Sequence, residues 1–155
     1  MLHFRFADKG DMDLYFRWAN DPLVRLNSYD PVPIPYENHI NWFNKKVVSG
    51  SCFFYLFFNE ENEPVGQVRI DKSQVEIVIG ISIDEAFRGK SLGAEMLEKS
   101  SNHYLQQYPS ATVVAYIKVE NTPSCNIFKK AGFTDEEIVT EQGYKSYKLY
   151  KKLPS

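Results

Sequence analysis

Long hydrophobic runs are missing from this chain. The most apolar stretch, residues 52–58, is seven residues long, whereas a membrane-spanning helix needs about 20, so no such span is expected. Cysteine is scarce. Cys52 and Cys125 are far apart and fit no metal-binding spacing; with no secretory leader apparent, they are expected to be reduced thiols of a cytoplasmic protein. His3, His39 and His103 form no paired or helical ligand spacing, so no metal site is expected. Charge of one sign is lacking too. The formal net charge is −2, without a long run of either sign, which argues against a broad basic face for nucleic acid but leaves room for a small basic pocket. Repeats, low-complexity tracts and linkers are absent, and residues 1–155 are expected to form a single domain.

What is present is an ordinary globular balance, 43% apolar and 25% charged, with a high aromatic share of 15%. Eleven Phe and ten Tyr either fill a core or line a groove. Alternation makes residues 2–6 a first strand. Residues 11–18 read as a short helix capped by Asp11 and ended by Asn20-Asp21-Pro22. A proline-rich loop follows. Residues 36–48 form a second helix, with Ile40, Phe43 and Val47 on one face. Strands at 52–59 and 65–71 flank a polar hairpin loop. Residues 74–83 alternate most clearly, with apolar side chains at odd positions; Gly80 within that strand suggests a bulge or a close backbone approach. A helix over 92–107, a strand over 112–117, a helix from Asn121 to a stop at Gly132, and a hairpin of 136–140 with 144–151 complete the chain. The order is β-α-α-β-β-β-α-β-α-β-β. The class is α/β (α+β), a mixed and mostly antiparallel sheet flanked by helices. Strand 144–151 is expected at an edge, where a second copy could pair to form a homodimer.

The most informative run is Arg88-Gly89-Lys90-Ser91-Leu92-Gly93. It joins the alternating strand to a helix start, and two glycines with two cations there make a cradle for an anion, above all a diphosphate.

With that loop and the segment Asn121, Ser124, Phe128, Lys130, Gly132 and Phe133, the chain resembles the GNAT superfamily of acetyl-CoA-dependent N-acetyltransferases. The two motifs span most of the C-terminal half. The resemblance implies a GNAT-like fold and coenzyme A as cofactor. Pantetheine would lie along Ile81, Ser82 and Ile83, and the diphosphate on the amides of Arg88, Gly89, Lys90, Ser91, Leu92 and Gly93. Asn121 would bond the pantetheine arm, with Ser124 and Phe128 beside it, and Lys129 or Lys130 would approach the nucleotide phosphate. Two departures matter. Ser91 stands where the family loop usually has glycine, and its backbone is expected to be right-handed. Phe128 stands where many members have the tyrosine that protonates the leaving thiolate, so that role is not carried over.

In the N-terminal half, Trp18-Ala19-Asn20-Asp21-Pro22, Arg25 and His39-Ile40-Asn41-Trp42-Phe43 resemble the branch that acetylates 4-amino groups of nucleotide-linked deoxysugars, and more loosely acetyltransferases of protein N-termini. The resemblance makes Arg17, Arg25, His39 and Trp42 substrate-binding candidates. Transfer from a thioester needs an oxyanion donor and a base. The amide near Ile81, freed by a bulge at Gly80, could be the donor. Glu76 and His39 are candidate bases, and Tyr116 could supply a proton. Three functions stay open: acetylation of a nucleotide-linked amino sugar or another small-molecule amine, acetylation of protein N-termini or polyamines, and binding of acyl-CoA without turnover.

Overall fold

In this computed structural model, which describes residues 1–154 apart from the side chain of Asp135, a seven-stranded sheet carries helices on both faces. The strands are β1 (His3–Phe6), β2 (Cys52–Phe58), β3 (Pro64–Lys72), β4 (Ile77–Ile83), β5 (Val113–Lys118), β6 (Thr134–Glu141) and β7 (Tyr144–Lys151). Their order across the sheet is β1-β2-β3-β4-β5-β7-β6. Every pairing is antiparallel except β4 with β5. The helices are α1 (Met12–Ala19), α2 (Pro22–Asn27), α3 (Tyr36–Val47), α4 (Gly93–Gln107) and α5 (Thr122–Lys130). This is the mixed, mostly antiparallel sheet that the sequence implies, with one helix more.

The apolar run of β2 is buried on both faces, which explains why it does not alternate. Tyr55 and Phe57 pack with Val68, Ile70, Met96 and Leu97 on the α4 side. Phe54 and Leu56 pack with Tyr15, Trp18 and Phe43 on the α1–α3 side. Each such fully buried side chain stabilises the fold by about 1.5–3 kcal/mol relative to exposure. The aromatics therefore serve both expected purposes: Phe43 and Phe57 are core, whereas Trp18, Trp42 and Phe54 also wall a cavity.

Several local expectations are corrected. The Asn20-Asp21-Pro22 stretch does not only end α1; it starts α2, where Asp21 Oδ1 accepts from the amides of Leu23 (2.9 Å) and Val24 (3.3 Å) and Pro22 occupies the first turn. Asp11 does not cap α1. Its carboxylate takes two bonds from Arg5 (2.8 and 2.9 Å) and one from the Asp8 amide (2.8 Å), and Asp8 caps the 3₁₀ turn before it. The strand expected from residue 74 begins at Ile77, because Ser73–Glu76 closes a turn and leaves Val75 90% exposed.

Gly80 makes no bulge. The β3–β4 register runs unbroken from Gly66↔Ile83 to Lys72↔Ile77. The irregularity lies on the other edge. β4 pairs with β5 only at Ile77↔Val113 and Val78↔Val114, and beyond these two pairs the strands diverge. Strand β7 is not an edge either, because it lies between β5 and β6. The outer strand is β6, where exposed Glu136 and Glu137 and a register shift discourage pairing with another chain.

Candidate functional site

The divergence of β4 from β5 leaves a wedge in the middle of the sheet. It opens into a cavity of about 920 Å³ bounded by α1–α3 on one side and by the starts of α4 and α5 on the other. Past Val78, the β5-facing edge of β4 has no strand partner, so its amides and carbonyls can pair with an extended ligand. These are the free donors that the sequence reading sought at Ile81; strand divergence, not a bulge, supplies them.

The wedge ends at the 88–93 loop. Gly89 (φ 75°) and Ser91 (φ 60°) both lie in the left-handed region, so Ser91 is not right-handed as expected. The loop turns the way a glycine would, at a cost of about 1–2 kcal/mol for a residue with a Cβ. Two left-handed residues in alternation point successive amides the same way. Among the described residues, none of the main-chain amides from Arg88 to Gly93 finds an acceptor. The start of α4 adds its dipole. These are the donors that a diphosphate requires, and with the unpaired β4 edge they form a site that coenzyme A fits.

The loop is braced from outside. Arg88 Nη2 lies 2.8 Å from Asp21 Oδ1, and its Nε donates to the Ile83 carbonyl (3.1 Å). Burial pushes the Asp21 carboxyl up, but the Arg88 bond and the two capped amides outweigh it and hold the group below the usual carboxylate range. Asp84 is held in the same way: burial raises it, while bonds from Trp18 Nε1 (2.8 Å), the Ala86 amide (3.0 Å) and Arg17 (2.9 Å) bring it below that range. Arg88 is thus a strut whose main chain faces the cradle.

Most of the expected cofactor residues line the cavity: Ile81, Ser82 and Ile83 on β4, Arg88, Gly89, Ser91, Leu92 and Gly93 on the loop, and Asn121, Ser124 and Phe128 around α5. Asn121 Oδ1 accepts from the Ser124 amide (3.4 Å) as the α5 cap. Lys90, Lys129 and Lys130 stay outside on the surface, and Lys129 pairs with Glu136 (3.1 Å).

Of the other candidates, His39, Trp42, Arg25 and Tyr116 reach the cavity, whereas Arg17 and Glu76 do not line it. Arg17 is 65% exposed and paired with Asp84. Arg25 is committed to the chain itself, donating to the carbonyls of Ala19 (2.7 Å) and Asp30 (2.9 Å) and to Ser28 Oγ (3.1 Å). Glu76 lies behind Tyr116 and accepts its hydroxyl at 2.8 Å with both oxygens, while Lys148 stands 4.0 Å from Oε2. Burial first, and then Glu76, raise the Tyr116 pKa, so the phenol keeps its proton.

His39 is buried against Phe43 and Trp42, with Nε2 3.2 Å from the Met12 carbonyl. That nitrogen carries the hydrogen, which leaves Nδ1 to accept. Burial lowers the His39 pKa; the Met12 carbonyl opposes this only in part. The unfolded chain therefore binds a proton at His39, as pH falls through about 6.5, before the folded chain does. Stability is expected to fall with pH in that window, above the range where carboxylates titrate. Melting temperatures between pH 7.5 and 5.5 should decline for the native chain and decline less for His39→Gln; equal slopes would remove His39 as the cause.

Sequence reasoning missed several polar groups that line the cavity, Gln67, Arg69, Tyr15 and Lys118 among them. Gln67 and Arg69 stand on the face of β3 opposite core residues Val68 and Ile70, directly across from Ser82 and Gly80 of β4. Tyr15 comes from α1 and Lys118 from β5. Strand alternation was the available signal for Gln67 and Arg69. The two cysteines are buried and unpaired, and burial pushes the Cys52 thiol up to about 12. Among the described residues, no group of three or more His, Cys, Asp or Glu could hold a metal ion, and no helix is long and apolar enough to cross a membrane.

Comparison with known proteins bears on this geometry. An acetyltransferase (GNAT) domain model matches residues 2–134. An uncharacterized N-acetyltransferase of Methanocaldococcus jannaschii is 28% identical over 109 residues, 65% of this chain and 46% of its own length, so the chain spans about half of that relative. A putative phosphinothricin acetyltransferase of Bacillus subtilis is 25% identical over 96% of this chain and 95% of its own length. The spermidine N-acetyltransferase of Vibrio cholerae, solved with CoA and spermine, superposes with a TM-score of 0.82 at 14% identity, covering 96% of this chain and 93% of that one. At that identity the likeness is one of fold.

Proposed function

The chain belongs to the acetyltransferase (GNAT) family, and from that premise we propose that it moves an acetyl group from acetyl-CoA to a primary amine of a small molecule. The observation that carries this reading is the run of unclaimed amides at 88–93, continuous with the unpaired edge of β4. Bound there, the cofactor supplies an activated thioester.

The protein's own groups have separate tasks. Loop amides hold the diphosphate, and the β4 edge orients the arm that leads into the cavity. Amides on that edge can donate to an oxygen that gains charge. His39, neutral at pH 7, is a proton acceptor on the acceptor side. Tyr116 is a proton donor, and it compensates for Phe128, which is buried and offers no proton. Because thiols have a pKa near 8.5, thiolate release at neutral pH needs only modest help.

A nucleotide-linked amino sugar is the acceptor that the motifs of the N-terminal half support. The polyamine reading has weak physical support, because among the described residues no aspartate or glutamate lines the cavity to meet a polycation with counter-charge. Calorimetry with coenzyme A, followed by thiol release from acetyl-CoA with amino sugars, their nucleotide-linked forms, peptides and spermidine, tests the proposal. Coenzyme A should bind, and thiol release should follow with amino-sugar acceptors. No heat with coenzyme A would sink it, and release with spermidine alone would move the acceptor to the polyamine class.

A further inference from the structure

We propose that the acceptor side of the cavity is built to read an anion carried by the amine substrate, with Arg69 as the reading cation and with Gln67 and Tyr15 as its polar companions. This rests on the acetyl-transfer reading above and extends it to the charge of the acceptor.

Among the described residues, four cationic side chains line the cavity and no acidic one does. Three of the four are committed. Arg88 is paired with Asp21. Arg25 is spent on main-chain carbonyls and Ser28. Lys118 donates to the Leu26 carbonyl (3.4 Å) and lies 3.8 Å from the centre of the Tyr144 ring. Arg69 differs. Among the described residues its guanidinium forms no hydrogen bond and no ion pair; it rests on the face of Trp42, 5.1 Å from the ring centre. A cation–π contact of this kind holds a guanidinium in place without using its N–H donors, which stay available to a carboxylate or phosphate.

The neighbours of Arg69 are equally unfinished. The Tyr15 hydroxyl and Gln67 Oε1 are buried polar atoms with no partner. Tyr15 is only 4% exposed. Gln67 Nε2 reaches Ser82 Oγ at 3.3 Å, which turns its oxygen loose. Buried polar atoms are nearly always satisfied, and those that are not mark places where something else supplies the bond. Both residues line the cavity, as does Gly80, which sits opposite Arg69 across the β3–β4 pair and has nothing within 4 Å of where a Cβ would be. An acceptor filling that space would meet a fixed cation, an oxygen able to take an amine or hydroxyl hydrogen, and a phenol able to give or take one.

Phosphate and carboxylate share this chemistry, and matched ligands separate them. Calorimetry would compare glucosamine 6-phosphate with glucosamine, and alanine with alaninamide, on the protein with and without coenzyme A. In at least one pair the anion-bearing member should bind roughly 10–100-fold more tightly, and the responding pair names the anion. Arg69→Met should abolish the preference and Arg69→Lys should retain part of it, with coenzyme A affinity unchanged in both. Absence of a preference in both pairs, or its survival in Arg69→Met, overturns the inference. Failure to bind coenzyme A would instead strike the acetyl-transfer reading, so the two failures are distinguishable.

Discussion

Leucine in place of Gly80 is expected to cut acetyl transfer by about 100-fold or more, while the protein stays folded and still takes up coenzyme A. The backbone at Gly80 is not left-handed, and an added Cβ would meet nothing within 4 Å, so β4 tolerates a side chain there. The neighbouring odd residues, Ile79 and Ile81, turn to the α4 side. Residue 80 therefore projects to the opposite face, beside Arg69 and into the cavity. A leucine would occupy the room left for the acceptor without touching the 88–93 loop. Steady-state kinetics with the best acceptor, calorimetry with coenzyme A and a thermal melt check all three parts. Retained turnover would mean that the acceptor lies elsewhere; loss of coenzyme A binding would mean that the arm passes over residue 80.

The second large effect is expected at Tyr116. Removing its hydroxyl in Tyr116→Phe should lower kcat by about 100-fold, the lower end for loss of a general acid or base, with coenzyme A affinity intact. The phenol holds its proton because burial and the Glu76 carboxylate disfavour the phenolate, and Phe128 offers no substitute. Glu76→Gln should cost less, since an amide oxygen can still accept the hydroxyl, but it should shift the pH dependence of kcat by removing the charge that keeps Tyr116 neutral. A change below about threefold in kcat for Tyr116→Phe would take this residue out of the chemistry.

Much of this architecture was legible in the residues. The unbroken apolar run of β2, the Gly-rich loop before α4 and the Asn121–Pro123 start of α5 each have local causes, so pattern alone located them. Long-range effects were not legible. Arg88 reads as a phosphate ligand until Asp21, 67 positions earlier, is seen to hold it. Glu76 reads as a base until the turn at Ser73 places it behind Tyr116. Gly80 suggested a bulge or a close backbone approach and makes neither, since the register is unbroken and nothing lies within 4 Å of where a Cβ would be; nothing in its neighbours reveals that β5 will leave β4 after two pairs. Arg69 escaped notice because an alternating polar residue in a strand is ordinarily solvated. The missed α2 shows the reverse case, since Asp-Pro carried both a cap and a first-turn proline in plain view.

The parting of β4 and β5 also makes the middle of the molecule resemble two leaves joined along a short spine, one of β1–β4 and the other of β5–β7. A guest laid along the open edge of β4 would take up hydrogen bonds that β5 leaves unclaimed. Any ligand that binds only the folded chain there would act as mortar as well as cargo, raising resistance to unfolding in step with its concentration.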